Sequence, residues 1–161
     1  ELSAVDKPSK KMPCQPGIRH LTTLLQIYNF DKEKVKESQK DIIKNDEDEK
    51  RFDYRVTCAE NWVKKYAPED FKFEVQEKIS VSLNEKEKNI LKKTIPLIEK
   101  AKDDKELHES FYELTKQENI EVKEFFNLYY KILVNKEKGP KLASFILIIG
   151  KDKVISLLNQ V

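Results

Sequence analysis

The sequence predicts an all-α fold, a helical bundle of about eight helices. Three observations carry that expectation. Apolar residues recur at steps of three and four along most of the 161 residues, which is the period of one helix face. Charged residues make up 37% of the chain, enough to clothe the outer faces of such helices. Only three glycines occur, each beside a helix end, and only one stretch alternates as a strand would. A chain of this length suits one domain with a genuine core.

Residues 1–16 carry Pro8, Pro13 and Pro16 with Lys7, Lys10 and Lys11, and read as an extended lead-in or linker. The helical domain then spans 17–161, with a possible sub-division near 69–82. Gly17 opens a run of Ile18, Leu21, Leu24, Leu25 and Tyr28 at helical spacing. Asp31 can cap a second helix carrying Val35 and Ile42. Asn45 and the acidic run 46–49 are expected between this helix and the next, where negative charge favours the following N-terminus. Phe52, Val56, Ala59, Val63 and Tyr66 mark the longest helix, Trp62 widens its stripe, and Pro68 stops it. Over 69–81, Phe71, Phe73 and Val75 alternate. With no second strand to pair with, an extended link is preferred to a strand.

Ser82-Leu83-Asn84-Glu85 has the form of a capping box. A helix with Ile90, Leu91, Leu97 and Ile98 follows, and Pro96 inside it is expected to kink or divide it. Asp103 with Glu106 gives a second box-like start, before Leu107, Phe111 and Leu114. Val122, Phe125, Phe126, Tyr129, Ile132 and Leu133 form a near-complete helical face. Gly139 and Gly150 bracket the most apolar segment, Gly-Pro-Lys-Leu-Ala-Ser-Phe-Ile-Leu-Ile-Ile-Gly. Pro140 suits a first helical position and Gly150 a left-handed cap. The segment reads as a short buried helix whose start opens at the surface at 138–141. A helix start offers free N–H groups to an anion or carbonyl. Val154, Ile155, Leu157 and Leu158 supply a last helix.

Composition and motifs exclude several classes. The net charge is +2, and of 31 basic residues only three are Arg, the rest Lys; this lacks the strong basicity of a dedicated nucleic-acid domain and is compatible with RNA without arguing for it. Cys14 and Cys58 are far apart and form neither a disulfide framework nor a zinc pattern, which suits a reducing, cytosolic setting. No run of about 18 apolar residues suggests a membrane span. Gly-rich phosphate loops, a Walker lysine, a dinucleotide fingerprint and His-Glu-x-x-His are all missing. His20 and His108 have no triad partner by pattern. Carboxylates sit among lysines on solvated faces, and the chain by itself is not expected to be an enzyme. Its first residue is Glu, which suits a fragment or processed product.

Two patches can bind. One is Arg19-His20 at the start of the first helix, where an arginine fork suits base edges or phosphates; the plainer reading is a surface arginine. The other is Gly139-Pro140-Lys141 with Ser144 and Phe145. There Ser144 can donate or accept and Phe145 can stack on a base, although core packing is the plainer role for that ring.

The chain resembles the class I lysyl-tRNA synthetases. The residues that carry the likeness are Phe125-Phe126-Asn127-Leu128-Tyr129, the run from Lys136 to Leu142, and the run from Leu147 to Val154. Asn61 to Glu69 and Arg19 to Gln26 agree as well, so the likeness extends from about residue 12 to the end in one order. This resemblance implies a ligase that uses ATP, lysine and Mg to charge tRNA-Lys in the cytoplasm. It further implies an upstream Rossmann-type catalytic domain bearing HIGH and KMSKS signatures. Neither signature occurs here, and Lys11-Met12-Pro13-Cys14 does not qualify as the second. The portion in hand would be the C-terminal anticodon-binding part, an α-helical cage that meets the tRNA-Lys anticodon loop and no membrane or DNA. The resemblance implies that the helix beginning at Gly139-Pro140 lies near the anticodon, as in the similar glutamyl-tRNA synthetases, with Arg19 in the other matching segment; with the two patches above, the RNA-binding candidates are Arg19, His20, Gly139, Pro140, Lys141, Ser144 and Phe145. Lys141 stands where Arg is usual, which favours phosphate contact over base reading. Asn135 stands where Gly is common, and Ile18 where Phe is common. The competing reading is a helical protein–protein interaction module without RNA recognition.

Overall fold

The computed structural model describes residue 12 and residues 14–161. Most of the expected lead-in therefore lies outside the described residues. Eight α-helices, one 3-10 turn and no strand occur among them. The chain divides into two compact units, with the boundary between Lys72 and Phe73.

The first unit holds α1 (Ile18–Ile27), α2 (Lys32–Glu37), a 3-10 turn (Lys40–Ile42) and α3 (Asp46–Lys65). Its core joins Leu21, Leu24 and Leu25 of α1 to Val35 of α2 and to Phe52, Val56, Ala59 and Val63 of α3. α1 ends in two successive left-handed residues, Asn29 (φ 50°) and Phe30 (φ 62°). The Phe30 amide closes that turn onto the Leu25 carbonyl at 2.6 Å. Asp31 caps α2, accepting the Lys34 amide at 3.1 Å. α2 is then tied to α3 by Lys32–Glu60 (2.6 Å) and by Lys36 with Glu49 (2.6 Å) and Asp53 (3.2 Å).

Three expectations change here. Ile42 lies in the separate 3-10 turn and is 39% exposed, because α2 stops at Ser38. The acidic run is the first turn of α3 and not a linker, since Asn45 is the N-cap and accepts from the amides of Glu47 and Asp48. Tyr66 faces solvent, and Ala67 closes the stripe in its place. Within the acidic run Asp48 alone is buried. It accepts from the Cys14 amide (2.7 Å), the Lys44 amide (3.0 Å) and the Asn45 side chain (3.0 Å), which pins the segment ahead of α1 to the start of α3.

The second unit begins with an irregular link, as the sequence suggests. Phe73 meets Phe145 edge-on at 5.3 Å, and the Gln76 amide donates to the Leu133 carbonyl at 2.8 Å. Then come α4 (Glu85–Lys100), α5 (Asp104–Gln117), α6 (Val122–Val134), α7 (Leu142–Ile149) and α8 (Lys151–Leu158). Asn84, not Ser82, caps α4, and the reciprocal partner is Glu87, so the capping box sits two residues later than its sequence form suggested. Pro96 does not divide α4. The bond it forfeits is to the Lys92 carbonyl one turn back. Lys92 and Pro96 both face water while Leu91 and Ile98 are buried on the opposite side, so solvent can satisfy that carbonyl and the packed face keeps the helix in line. Asp103 caps α5 as expected.

Phe111, Phe125 and Tyr129 form the aromatic centre, with ring centroids 5.1–5.5 Å apart. The Tyr129 hydroxyl donates to Thr94 at 2.5 Å, and full burial pushes its pKa up. Gly150 at φ 101° ends α7 and starts α8 in one residue, a conformation that favours glycine. The next residue, Lys151, reaches back to the carbonyls of Glu99 and Ala101 at the C-terminal end of α4. Gly150-Lys151 is thus a joint that locks α8 onto α4.

Candidate nucleic-acid interface

The α6–α7 loop is shaped by one tyrosine. α6 terminates at Asn135, left-handed at φ 52°, where the lack of a Cβ penalty normally selects glycine and Asn is the usual substitute. The chain then turns over Tyr130. The Tyr130 hydroxyl donates to the Pro140 carbonyl, and burial raises that hydroxyl's pKa. Gly139 lies flat on the same ring; a β-carbon there would meet Tyr130 Cε1 at 2.6 Å. Glycine is required by close approach and not by φ.

α7 starts at Leu142 with Lys141 as N-cap, so Pro140 precedes the cap and does not occupy the first helical position. Lys141 is exposed, and no side chain caps the helix. Ser144 Oγ donates to Asp104 Oδ2 at 2.5 Å. The Asp104 carboxyl is held below the usual range by that bond first and by the nearby Lys141 charge as a lesser cause. With its proton committed, Ser144 has only lone pairs left to offer a ligand. Phe145 is fully buried against Phe73, so its ring packs the core and is closed to base stacking.

In the other unit, Arg19 is exposed in the first turn of α1. Its carbonyl accepts from Thr22 (3.0 Å) and Thr23 (2.9 Å), which leaves the guanidinium free of that network. His20 is half-buried and its Nε2 lies 3.0 Å from Gln39 Oε1, so the ring helps pack the turn after α2. The sequence-derived set therefore separates. Lys141, Ser144 and Arg19 present polar atoms at the surface; Gly139 and Pro140 shape the loop; Phe145 packs the core of the second unit behind it, and His20 packs against Gln39 in the first unit. Tyr130 and Asp104 were missed. Tyr130 looks like one more core aromatic beside Tyr129, and Asp104 like an ordinary helix-start acid 40 residues from Ser144.

The described residues are helical, and the α6–α7 loop is held against Tyr130 with Lys141 exposed at its end. The chain belongs to the anticodon binding domain family, whose model matches residues 60–161. It is 37% identical to the lysine–tRNA ligase of Borreliella burgdorferi over 99% of this chain and 31% of that protein. The lysine–tRNA ligases of Pyrococcus horikoshii (32% identical; 99% of this chain, 32% of theirs) and Thermoplasma volcanium (31% identical; 100% and 32%) are similar over the same span. The chain thus covers about a third of the length of these curated relatives.

Proposed function

We propose that the chain is the anticodon-binding part of a class I lysine–tRNA ligase. It would receive the anticodon loop of tRNA-Lys while an upstream Rossmann-type domain of the same protein, in the cytoplasm, joins lysine to the tRNA with ATP and Mg. The observation that carries this reading is the likeness to three lysine–tRNA ligases along essentially the whole chain. In this reading the ATP and Mg chemistry belongs to the upstream domain. The work of the present residues is binding. Lys141 supplies a point charge suited to a phosphate, Ser144 a lone-pair acceptor, and Arg19 a planar donor fork. Gly139 and Pro140 hold the loop backbone in a fixed course, and His20 and Phe145 keep the supporting elements in place. Single-stranded loops are read in this way, by unstacked bases meeting hydrogen-bonding groups.

The test is a titration with the tRNA-Lys anticodon stem-loop at two salt concentrations, beside a loop with its central uridine replaced. The expected result is salt-sensitive binding that weakens on replacement. Equal affinity for both loops would reduce the role to attraction by the RNA backbone.

A further inference from the structure

α3 sorts its charges by flank. On the flank facing α2 every central carboxylate is engaged: Glu49 and Asp53 with Lys36, Glu60 with Lys32 and Lys64. The other flank carries Arg51, Tyr54 and Arg55. Arg51 and Arg55 are an i,i+4 like-charge pair, an arrangement that costs a helix stability. Arg51 has no carboxylate partner among the described residues, and neither does Arg19.

Backbone contacts gather these groups. Arg55 Nε donates to the Pro16 carbonyl at 3.1 Å, three residues ahead of Arg19. Arg51 lies one turn before Arg55 on α3, and both charges oppose the burial and the Asp48 charge that push the Cys14 thiol up in pKa. α1 packs directly on α3. All three arginines of a chain otherwise furnished with lysine therefore border one region of the first unit. Tyr54 (65% exposed) and Ile18 (51%) stand open beside them. Arginine differs from lysine in its planar, weakly hydrated fork, which suits phosphate oxygens and stacked planes. An exposed tyrosine one turn from Arg51 adds a face on which a base can stack.

We infer that this region of the first unit holds the phosphodiester backbone of the bound RNA, with Arg51 and Arg19 on phosphates and Tyr54 against a base. The inference rests on the reading that the chain binds tRNA, and it adds Arg51 and Tyr54 of the first unit to the residues already assigned.

The experiment titrates the 161-residue chain with the lysine anticodon stem-loop across a salt series, together with Arg51→Gln, Arg51→Lys, Tyr54→Ala and Lys141→Ala. Thermal melts run alongside; Arg51 and Tyr54 are exposed, so the variants should keep their fold. Arg51→Gln is expected to flatten the log–log salt slope by about 0.7–0.9, one phosphate contact, and Arg51→Lys to restore it. Tyr54→Ala is expected to weaken binding by roughly tenfold with the slope unchanged. If Arg51→Gln leaves the slope unchanged while Lys141→Ala weakens binding, the inference fails and the anticodon reading stands. The arginine face would then pass to an acidic protein surface. Failure of the unaltered chain to bind the stem-loop at low salt would overturn both.

Discussion

Gly139 rests on the ring of Tyr130 so closely that any side chain at 139 would collide with it; an added β-carbon would lie 2.6 and 2.7 Å from two ring carbons. The same ring's hydroxyl holds the Pro140 carbonyl. One α6 side chain thus fixes two successive residues ahead of α7. Gly139→Ala must push either the loop or the tyrosine away, and overpacking of this kind costs about 1–3 kcal/mol. Tyr130→Phe keeps the ring and removes only the hydrogen bond, at about 1 kcal/mol. Urea denaturation of both variants should show this order. Stem-loop affinity should fall in both, because the basic loop loses its fixed course.

Asn135 offers a separate measure of backbone strain. It is left-handed at φ 52° and exposed, and it makes the C-cap of α6. A side chain with a Cβ pays about 1–2 kcal/mol in that region, with Asn at the lenient end. Asn135→Gly should therefore be neutral or stabilising by up to about 1 kcal/mol, and Asn135→Val should destabilise by more than 1 kcal/mol. Midpoints of urea unfolding at constant m decide it.

Much of this was legible in advance. Helix content, the buried stripes of α3 and α6 and the cap at Asp31 follow from spacing and local chemistry alone. What escaped was settled by tertiary competition. Ser82 and Asn84 are both competent caps three residues ahead of a glutamate, and only packing chose Asn84. Pro96 reads as a breaker until its solvent-side position is known. At the candidate interface, pattern picked out Lys141, Ser144 and Arg19, since exposed polar residues at helix starts announce themselves. For Phe145 it left stacking open beside the plainer core role, because an aromatic beside a helix start looks the same whether its ring faces water or Phe73; the core role is the one observed. Tyr130 and Asp104 act across loops, and sequence spacing carries no trace of the contact between Asp104 and Ser144.

Acid sensitivity of the first unit should centre on Glu60. Its carboxyl is held below its ordinary 4.5, chiefly by the hydrogen bond from Lys32, then by that from Lys64, against a smaller opposing effect of burial. A group with a depressed folded pKa binds protons more readily unfolded. Its contribution is therefore present above about pH 4.5 and is lost as pH falls through the lower folded value. Glu60→Gln should remove that slope from the acid limb of the stability curve while costing about 1 kcal/mol or less at neutral pH. Lys32→Met should reduce the slope more than Lys64→Met does. An unchanged acid limb in Glu60→Gln would assign the effect to other carboxylates.

Ser144 and Asp104 set the polarity of the α7 start. The hydroxyl proton is spent on Asp104, and Lys141 is the cation near that carboxylate. An RNA loop approaching here meets acceptors beside the Lys141 charge, so base N–H groups are welcome, while the Asp104 carboxylate tempers the attraction of Lys141 for phosphate. Asp104→Asn removes the negative charge. It should raise affinity for any RNA loop at low salt and steepen the salt dependence, since Lys141 then acts unopposed. The Asn amide can also turn its NH2 toward Ser144, where the carboxylate could only accept, so the Ser144 proton is no longer committed to residue 104 and the preference for the uridine loop over its substituted counterpart should narrow. Ser144→Ala leaves the carboxylate charged, and it should narrow the preference without the general gain in affinity. Titrating both variants against both loops separates charge from hydrogen-bond polarity. If Asp104→Asn gains affinity while discrimination is fully retained, the carboxylate is an electrostatic bystander and the reading groups lie elsewhere on the chain.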